Sequence, residues 1–126
     1  MLLDSNIIIY AAQPEHTWLR RFIAQEAPYV SAVSYVEVLG YHELDAEERD
    51  YLERFFAAAS VLPIVSGVLD AAVRLRQQRR MSLGDSLVAG TALYNRLELV
   101  TRNVEDFGWI GGLAVINPFE GRREEG

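Results

Sequence analysis

Apolar and polar positions fall along this chain in blocks whose period shifts between strand and helix. Met1 to Leu3 are apolar throughout, too few for a helix, and have no polar face, which fits a short parallel strand buried on both sides. Ser5 to Ala12 (SNIIIYAA) holds no Gly or Pro and reads as the helix that follows. His16 to Glu26 puts Leu19, Phe22 and Ile23 on one face and Arg20, Arg21 and Gln25 on the other, so a surface helix is expected there. After a proline stop, Pro28 to Ala32 is a short β-rich run. Helices follow over Val33 to Leu44 and Ala46 to Ser60, the second acidic at its start as the helix dipole prefers. Val61 to Val65 is a strand whose proline suits an edge position. Ser66 to Arg80 and Gly84 to Arg96 are helical, Leu97 to Thr101 is a strand, and Val115 and Ile116 lie in a last short strand. Strands alternating with helices of this length mean βαβ units and a parallel sheet. Residues 1–119 read as one domain, with a polar tail over 120–126 and no repeat, linker or low-complexity tract.

In that frame four acids stand out by position. Asp4 ends the first strand, Glu37 is expected in the first turn of the helix after the second, Asp85 opens the helix before the fourth, and Asp106 follows the fourth. Strand-to-helix junctions of a doubly wound sheet gather along its carboxyl edge, so acids distant in sequence can converge beside the first strand. Each acid taken singly also fits a helix cap. Ser34 with Glu37, Ser82 with Asp85, and Asn103 with Asp106 all have capping-box spacing, and Asp4 can cap alone. The surroundings of Asp85 weigh against a mere cap: Gly84, Ala89, Gly90 and Ala92 leave a helix face so small that it must pack closely on something. Glu47, Glu48, Asp50 and Glu53, by contrast, sit on a plainly solvated helix.

Composition narrows the chemistry. The 126 residues are half hydrophobic and about a quarter charged, ordinary for a globular domain. Cysteine is absent, which removes disulfides and thiolate metal sites. His16 and His42 read as helix-surface residues, so zinc is not expected. No apolar run approaches the ~20 residues of a membrane span, no charged-then-apolar leader opens the sequence, and a cytoplasmic protein without membrane contact is expected. A formal charge of -6 argues against nucleic-acid binding by a broad basic face, so a phosphate partner must be held by a metal or a local arginine cluster. All twelve basic residues are Arg. Arg74, Arg76, Arg79 and Arg80 bunch at the end of one helix, where cations also suit the dipole, and Arg102 adjoins Thr101.

MLLDSNIIIY, the Glu in VSYVEVLG, SLGDSLVAGTAL and LVTRNVEDF together resemble the four acidic motifs of PIN-domain ribonucleases, in particular the VapC-type toxins of toxin-antitoxin pairs. The likeness runs from Met1 to Phe119 in the right order, and the Asp-Ser-Asn start and the TRNVEDF block are its more specific pieces. It implies a PIN-like three-layer α/β/α fold with a central five-stranded parallel sheet, a Mg²⁺ or Mn²⁺ site, endonucleolytic cleavage of RNA, a homodimer, and an antitoxin protein whose segment enters the acidic groove. Asp4, Glu37, Asp85 and Asp106 correspond to the acidic quartet, with Asn6 and Thr101 as polar helpers.

Hard divalent cations take oxygen ligands, and Mg²⁺ commonly keeps several waters while one or two carboxylates hold it. The expected division is Asp4 and Asp85 as primary ligands, Asp106 in a second ligand set, and Glu37 as a ligand through water or the base that activates water. Three other readings remain beside the toxin: an RNA-processing PIN nuclease, a non-catalytic PIN-like interaction module, and a haloacid-dehalogenase-like or receiver-like phosphotransfer protein. The interaction module would be marked by a broken quartet, which is not seen. The dehalogenase-like class wants a second Asp two residues after the first, where this chain has Asn6, and no Lys exists to contact an aspartyl phosphate.

Overall fold

The first strand, β1 (Leu2–Leu3), lies at the centre of a five-stranded, wholly parallel sheet. In the computed structural model, which describes residues 1–120, it is followed by α1 (Ser5–Ala12), a 3₁₀ turn over Pro14–His16, α2 (Thr17–Glu26), β2 (Tyr29–Ser31), α3 (Ala32–Leu39) and α4 (Ala46–Ala58). The chain continues through β3 (Ser60–Leu62), α5 (Ser66–Gln78), α6 (Leu83–Tyr94), β4 (Leu99–Val100), α7 (Val104–Phe107) and β5 (Val115–Ile116). Of the tail expected over 120–126, everything past Glu120 lies outside the described residues. Strand order is β3-β2-β1-β4-β5, so the chain winds outward on one side of β1, then returns and winds outward on the other. The reversal falls beside β1, the place where open α/β sheets form a crevice at their carboxyl edge.

Alternation along two-residue strands builds the layers. Leu3 and Val100 point into a core with Ile7, Ile8, Leu19, Val30, Val38, Leu52 and Phe56, contributed by α1 to α4 and β2. Leu2 and Leu99 point the other way, onto Leu75, Val88, Ala89, Ala92 and Phe107 of α5 to α7. Helices therefore cover both faces, which is why β1 and β4 are apolar at every position. The small face of α6 finds its partner in α5: a Cβ on Gly90 would lie 2.9 Å from the Val68 carbonyl oxygen. Among the described residues no helix is long and apolar enough to cross a membrane.

Several boundaries differ from the sequence expectation. The helix expected over 33–44 ends at Leu39, where the Gly40 amide caps it on the Val36 carbonyl. The next helix then starts afresh at Asp45, whose carboxylate and Glu48 form the reciprocal capping box. β3 stops at Leu62 because Pro63 has no N–H for the ladder, and it does occupy an edge. The four-residue α7 is too short to show a period; only the Asn103–Asp106 spacing points to a helix start there, and the side-chain cap that spacing suggests is not formed.

Candidate active site

Backbone pairing fixes the floor of the site. The Asp4 amide donates to the Val100 carbonyl at 2.9 Å, and the Thr101 amide donates to that of Ile116 at 2.9 Å, so Asp4 and Thr101 stand side by side just past the ends of β1 and β4. Their side chains meet: Thr101 Oγ1 donates to Asp4 Oδ2 at 2.8 Å. Asp4 Oδ1 accepts from the Ser5 amide at 2.8 Å, which makes Asp4 the N-cap of α1 as well. Thr101 Oγ1 also accepts from the Asn103 amide at 3.0 Å, tying Asp4 to the loop that leads into α7 and Asp106.

A second set of hydroxyls joins α1 to α3. Ser5 Oγ donates to Glu37 Oε1 at 2.7 Å and lies 2.9 Å from Ser34 Oγ. The helix before Glu37 is capped by Ser31, whose Oγ accepts from the Val33 amide. The capping box expected between Ser34 and Glu37 is therefore not formed, and Glu37 lies in the second helical turn rather than the first. Their spacing of three instead puts Ser34 and Glu37 on the face of α3 that meets α1. From the other side, a Cβ on Gly84 would overlap Glu37 Oε2, so the absence of a side chain there makes room for the carboxylate. One residue on, Asp85 is half-buried in the first turn of α6, its amide donating to the Ser82 cap at 3.1 Å. Asp106 is exposed on α7, and Asn103 gives that helix no side-chain cap.

Burial raises two of the acids, Asp4 and Asp85, with the charges of other acids adding to the rise. Asp4 is only 4% exposed, and burial pushes its carboxyl up from 3.8 to about 6; the Thr101 and Ser5 hydrogen bonds oppose that rise, while the charges of Asp85 and Glu37 add to it. Burial also raises Asp85, against its Ser82 hydrogen bond, with the charges of Asp106 and Glu37 adding. Neither carboxylate has an arginine among the groups that shift it, and among the described residues no member of the quartet makes an ion pair.

The structure thus brings Asp4, Glu37, Asp85, Asp106 and Thr101 together. Asn6 is exposed and makes no side-chain hydrogen bond among the described residues. Ser5, Ser34 and Gly84 were not foreseen as part of the site; for Ser34 the signal was present in its spacing from Glu37. The Arg74–Arg80 group does not form one cradle. Arg74 faces Tyr94 and Leu93, Arg76 and Arg80 line a separate hollow with Met81, and Arg79 lies over the Trp109 ring. As a donor set, the site offers hard oxygen ligands with no sulfur or imidazole, in keeping with a Mg²⁺-like ion. Among the described residues no group of three or more acidic or histidine side chains stands close enough to hold one ion directly.

A parallel α/β sheet with helices on both faces and acids gathered beyond its central strands defines the class. The PIN domain family model matches residues 1–108, and the chain belongs to that family. Among solved structures it is similar to the toxin-antitoxin complex from Klebsiella pneumoniae, at 27% identity and a TM-score of 0.72 over 94% of this chain and 98% of that one. It shares its fold with VapBC2 from Rickettsia felis bound to a DNA fragment from their promoter, at 19% identity and TM-score 0.80 over 92% and 96% of the two chains. The same holds for DNA-bound VapBC from Salmonella typhimurium, at 22% identity and TM-score 0.78 over 91% and 95%. No curated protein matches the chain significantly.

Proposed function

We propose that this chain is a Mg²⁺- or Mn²⁺-dependent endoribonuclease and the toxin of a toxin-antitoxin pair, working as a homodimer in the cytoplasm with residues 1–119 as its nuclease domain. The observation that carries this is a buried Asp4 at the carboxyl edge of the central strand, bonded to the Thr101 hydroxyl and the Ser5 amide, with Ser5 Oγ in turn holding Glu37. The charges of Asp85 and Glu37 act on it, and no arginine is among the groups that shift it. Asp4 and Asp85 would hold the cation, Asp106 would extend the ligand set, and Glu37 would act through water or as the base that takes a proton from it. A bound divalent ion supplies Lewis acidity, lowering the pKa of an attacking water and stabilising the leaving oxygen. Thr101 keeps Asp4 Oδ2 oriented, and Ser5 fixes Glu37 by Oε1, which leaves Oε2 for water. Asn6, exposed beside this group, is the remaining polar candidate for orienting water or phosphate.

Purified protein incubated with a mixed RNA pool should cleave it with Mg²⁺ or Mn²⁺, lose activity in EDTA and regain it on metal addition. Equal cleavage by wild type and Asp4→Asn would defeat the assignment. The toxin role is supported by the likeness to the Klebsiella pneumoniae toxin-antitoxin complex. Expression alone should arrest growth, and a neighbouring small gene product should relieve the arrest; harmless expression of an active nuclease would favour RNA processing instead.

A further inference from the structure

Arg102 follows Thr101, so it leaves the sheet at the same edge as Asp4. It is exposed, yet it is not left to wander. Its guanidinium carbon lies 4.2 Å from the Phe119 ring centroid and 5.3 Å from that of Tyr10. Phe119 is in turn held edge-on by Tyr10, His16 and Trp18, with centroids 5.5, 5.3 and 5.0 Å away. Its amide donates to Asn117 Oδ1 at 2.9 Å, which fixes the turn that presents the ring. An aromatic clamp thus joins the last described residues to α1 and grips one arginine.

Beside the clamp is a groove of about 480 Å³ whose lining includes Arg102, Asn103, Asp106, Asn117 and Glu120, with Arg102 as its one basic residue. An arginine left free near Asp106, Glu105 and Glu120 would be drawn into an ion pair. None forms: Arg102 makes neither a salt bridge nor a hydrogen bond among the described residues. Stacking uses the face of the guanidinium and leaves its in-plane N–H fork free, the geometry that takes phosphate oxygens.

We infer that Arg102, clamped by Phe119 and Tyr10, is a backbone-phosphate subsite for single-stranded RNA beside Asp106, and that Phe119 is its positioning residue. The identity of the ligand rests on the ribonuclease reading. The test is binding, measured apart from cleavage: fluorescence anisotropy of a labelled single-stranded RNA in EDTA, across a salt series, with wild type, Arg102→Gln, Phe119→Leu, Phe119→Tyr and the Arg102→Gln/Phe119→Leu double variant. Losing a charge-assisted contact should weaken binding about tenfold in Arg102→Gln and flatten the slope of log K against log salt by roughly 0.7, one single-strand phosphate. Phe119→Leu should weaken binding in the same direction and flatten the slope, Phe119→Tyr should restore both, and the double variant should be no weaker than Arg102→Gln alone. Unchanged affinity and slope in Arg102→Gln would overturn the subsite and leave Arg102 to a protein partner. Additive losses in the double variant would overturn the positioning role. Wild type that binds with the expected slope but never cleaves with metal would refute the nuclease reading alone, and wild type that cleaves while Arg102→Gln binds unchanged would refute this inference alone.

Discussion

Replacing Asp4 by Asn tests whether ionised Asp4 is costly in the folded protein. Burial, with Asp85 and Glu37 nearby, raises the Asp4 carboxyl from 3.8 to about 6. The native state therefore holds an extra proton between those values, and wild-type stability falls as pH rises through that window. At about 1.36 kcal/mol per pH unit, ionised Asp4 costs the metal-free fold roughly 3 kcal/mol above pH 6. Asn removes that charge and keeps an oxygen for the Ser5 amide. It cannot accept the Thr101 hydroxyl proton through its nitrogen, and a buried donor left unpaired costs about 1–3 kcal/mol. Asp4→Asn should therefore be more stable than wild type at pH 7.5 and less stable at pH 4.5, where most of the charge penalty is gone. Melting in EDTA across that range measures it; at roughly 3–5 °C per kcal/mol for a domain of this size, a swing of about 2 kcal/mol should move the gap between the proteins by roughly 6–10 °C. A variant that melts below wild type by one constant margin at every pH would show that the Asp4 carboxyl is not raised and that Asp4 acts only as a cap.

Gly84→Ala should displace the Glu37 carboxylate, a flexible side-chain end, so stability should change by less than about 1 kcal/mol while RNA cleavage drops sharply; urea denaturation beside a cleavage assay separates the two. Thr101→Val strands Asp4 Oδ2 and the Asn103 amide and should cost about 1–3 kcal/mol in urea denaturation. It also removes an influence that lowers Asp4, so the Asp4 carboxyl should titrate still higher by NMR. Mg²⁺ at a hundredfold excess over its Kd should stabilise wild type by about 2.7 kcal/mol and do much less for Asp85→Asn, as read by thermal melts with and without metal.

Strands buried on both faces and helices with one apolar stripe leave a strong mark in sequence, so the layers, the parallel sheet and the edge position of β3 were legible. Chain ends of elements were not, because a single backbone cap such as Gly40 ends a helix without altering the apolar pattern around it. The site divides in the same way. Acids at strand ends can be located from topology, and Asp4, Glu37, Asp85 and Asp106 do lie at one edge. Which neighbours touch them depends on side-chain direction across elements, which a linear pattern does not carry. Asn6 and Ser5 are adjacent in sequence, yet α1 turns Ser5 inward to Glu37 and Asn6 out to solvent.

The groups that shape this edge are neutral. Ser5 and Thr101 satisfy carboxylate lone pairs and, with Ser34, join α1 to α3 and Asp4 to the end of β4, while Ser82 caps α6. A hydroxyl orients a carboxylate through a dipole and leaves its charge in place, whereas an arginine would orient it and cancel it. The nearest described cation on the β4 side, Arg102, is drawn aside onto Phe119 and Tyr10. Order and charge are thereby separated: the hydroxyls hold Asp4 and Glu37 in place before any ligand arrives and leave their charges in place. A ligand seated directly on Asp4 and Glu37, as distinct from one on Arg102, is favoured by positive charge. That charge would favour the ionised form of Asp4, which burial, with the charges of Asp85 and Glu37 adding, makes costly in the metal-free fold. A neutral ligand gains none of this, so the edge selects for cations by the way it is built, and that selectivity should weaken as pH falls below about 6 and Asp4 takes up its proton.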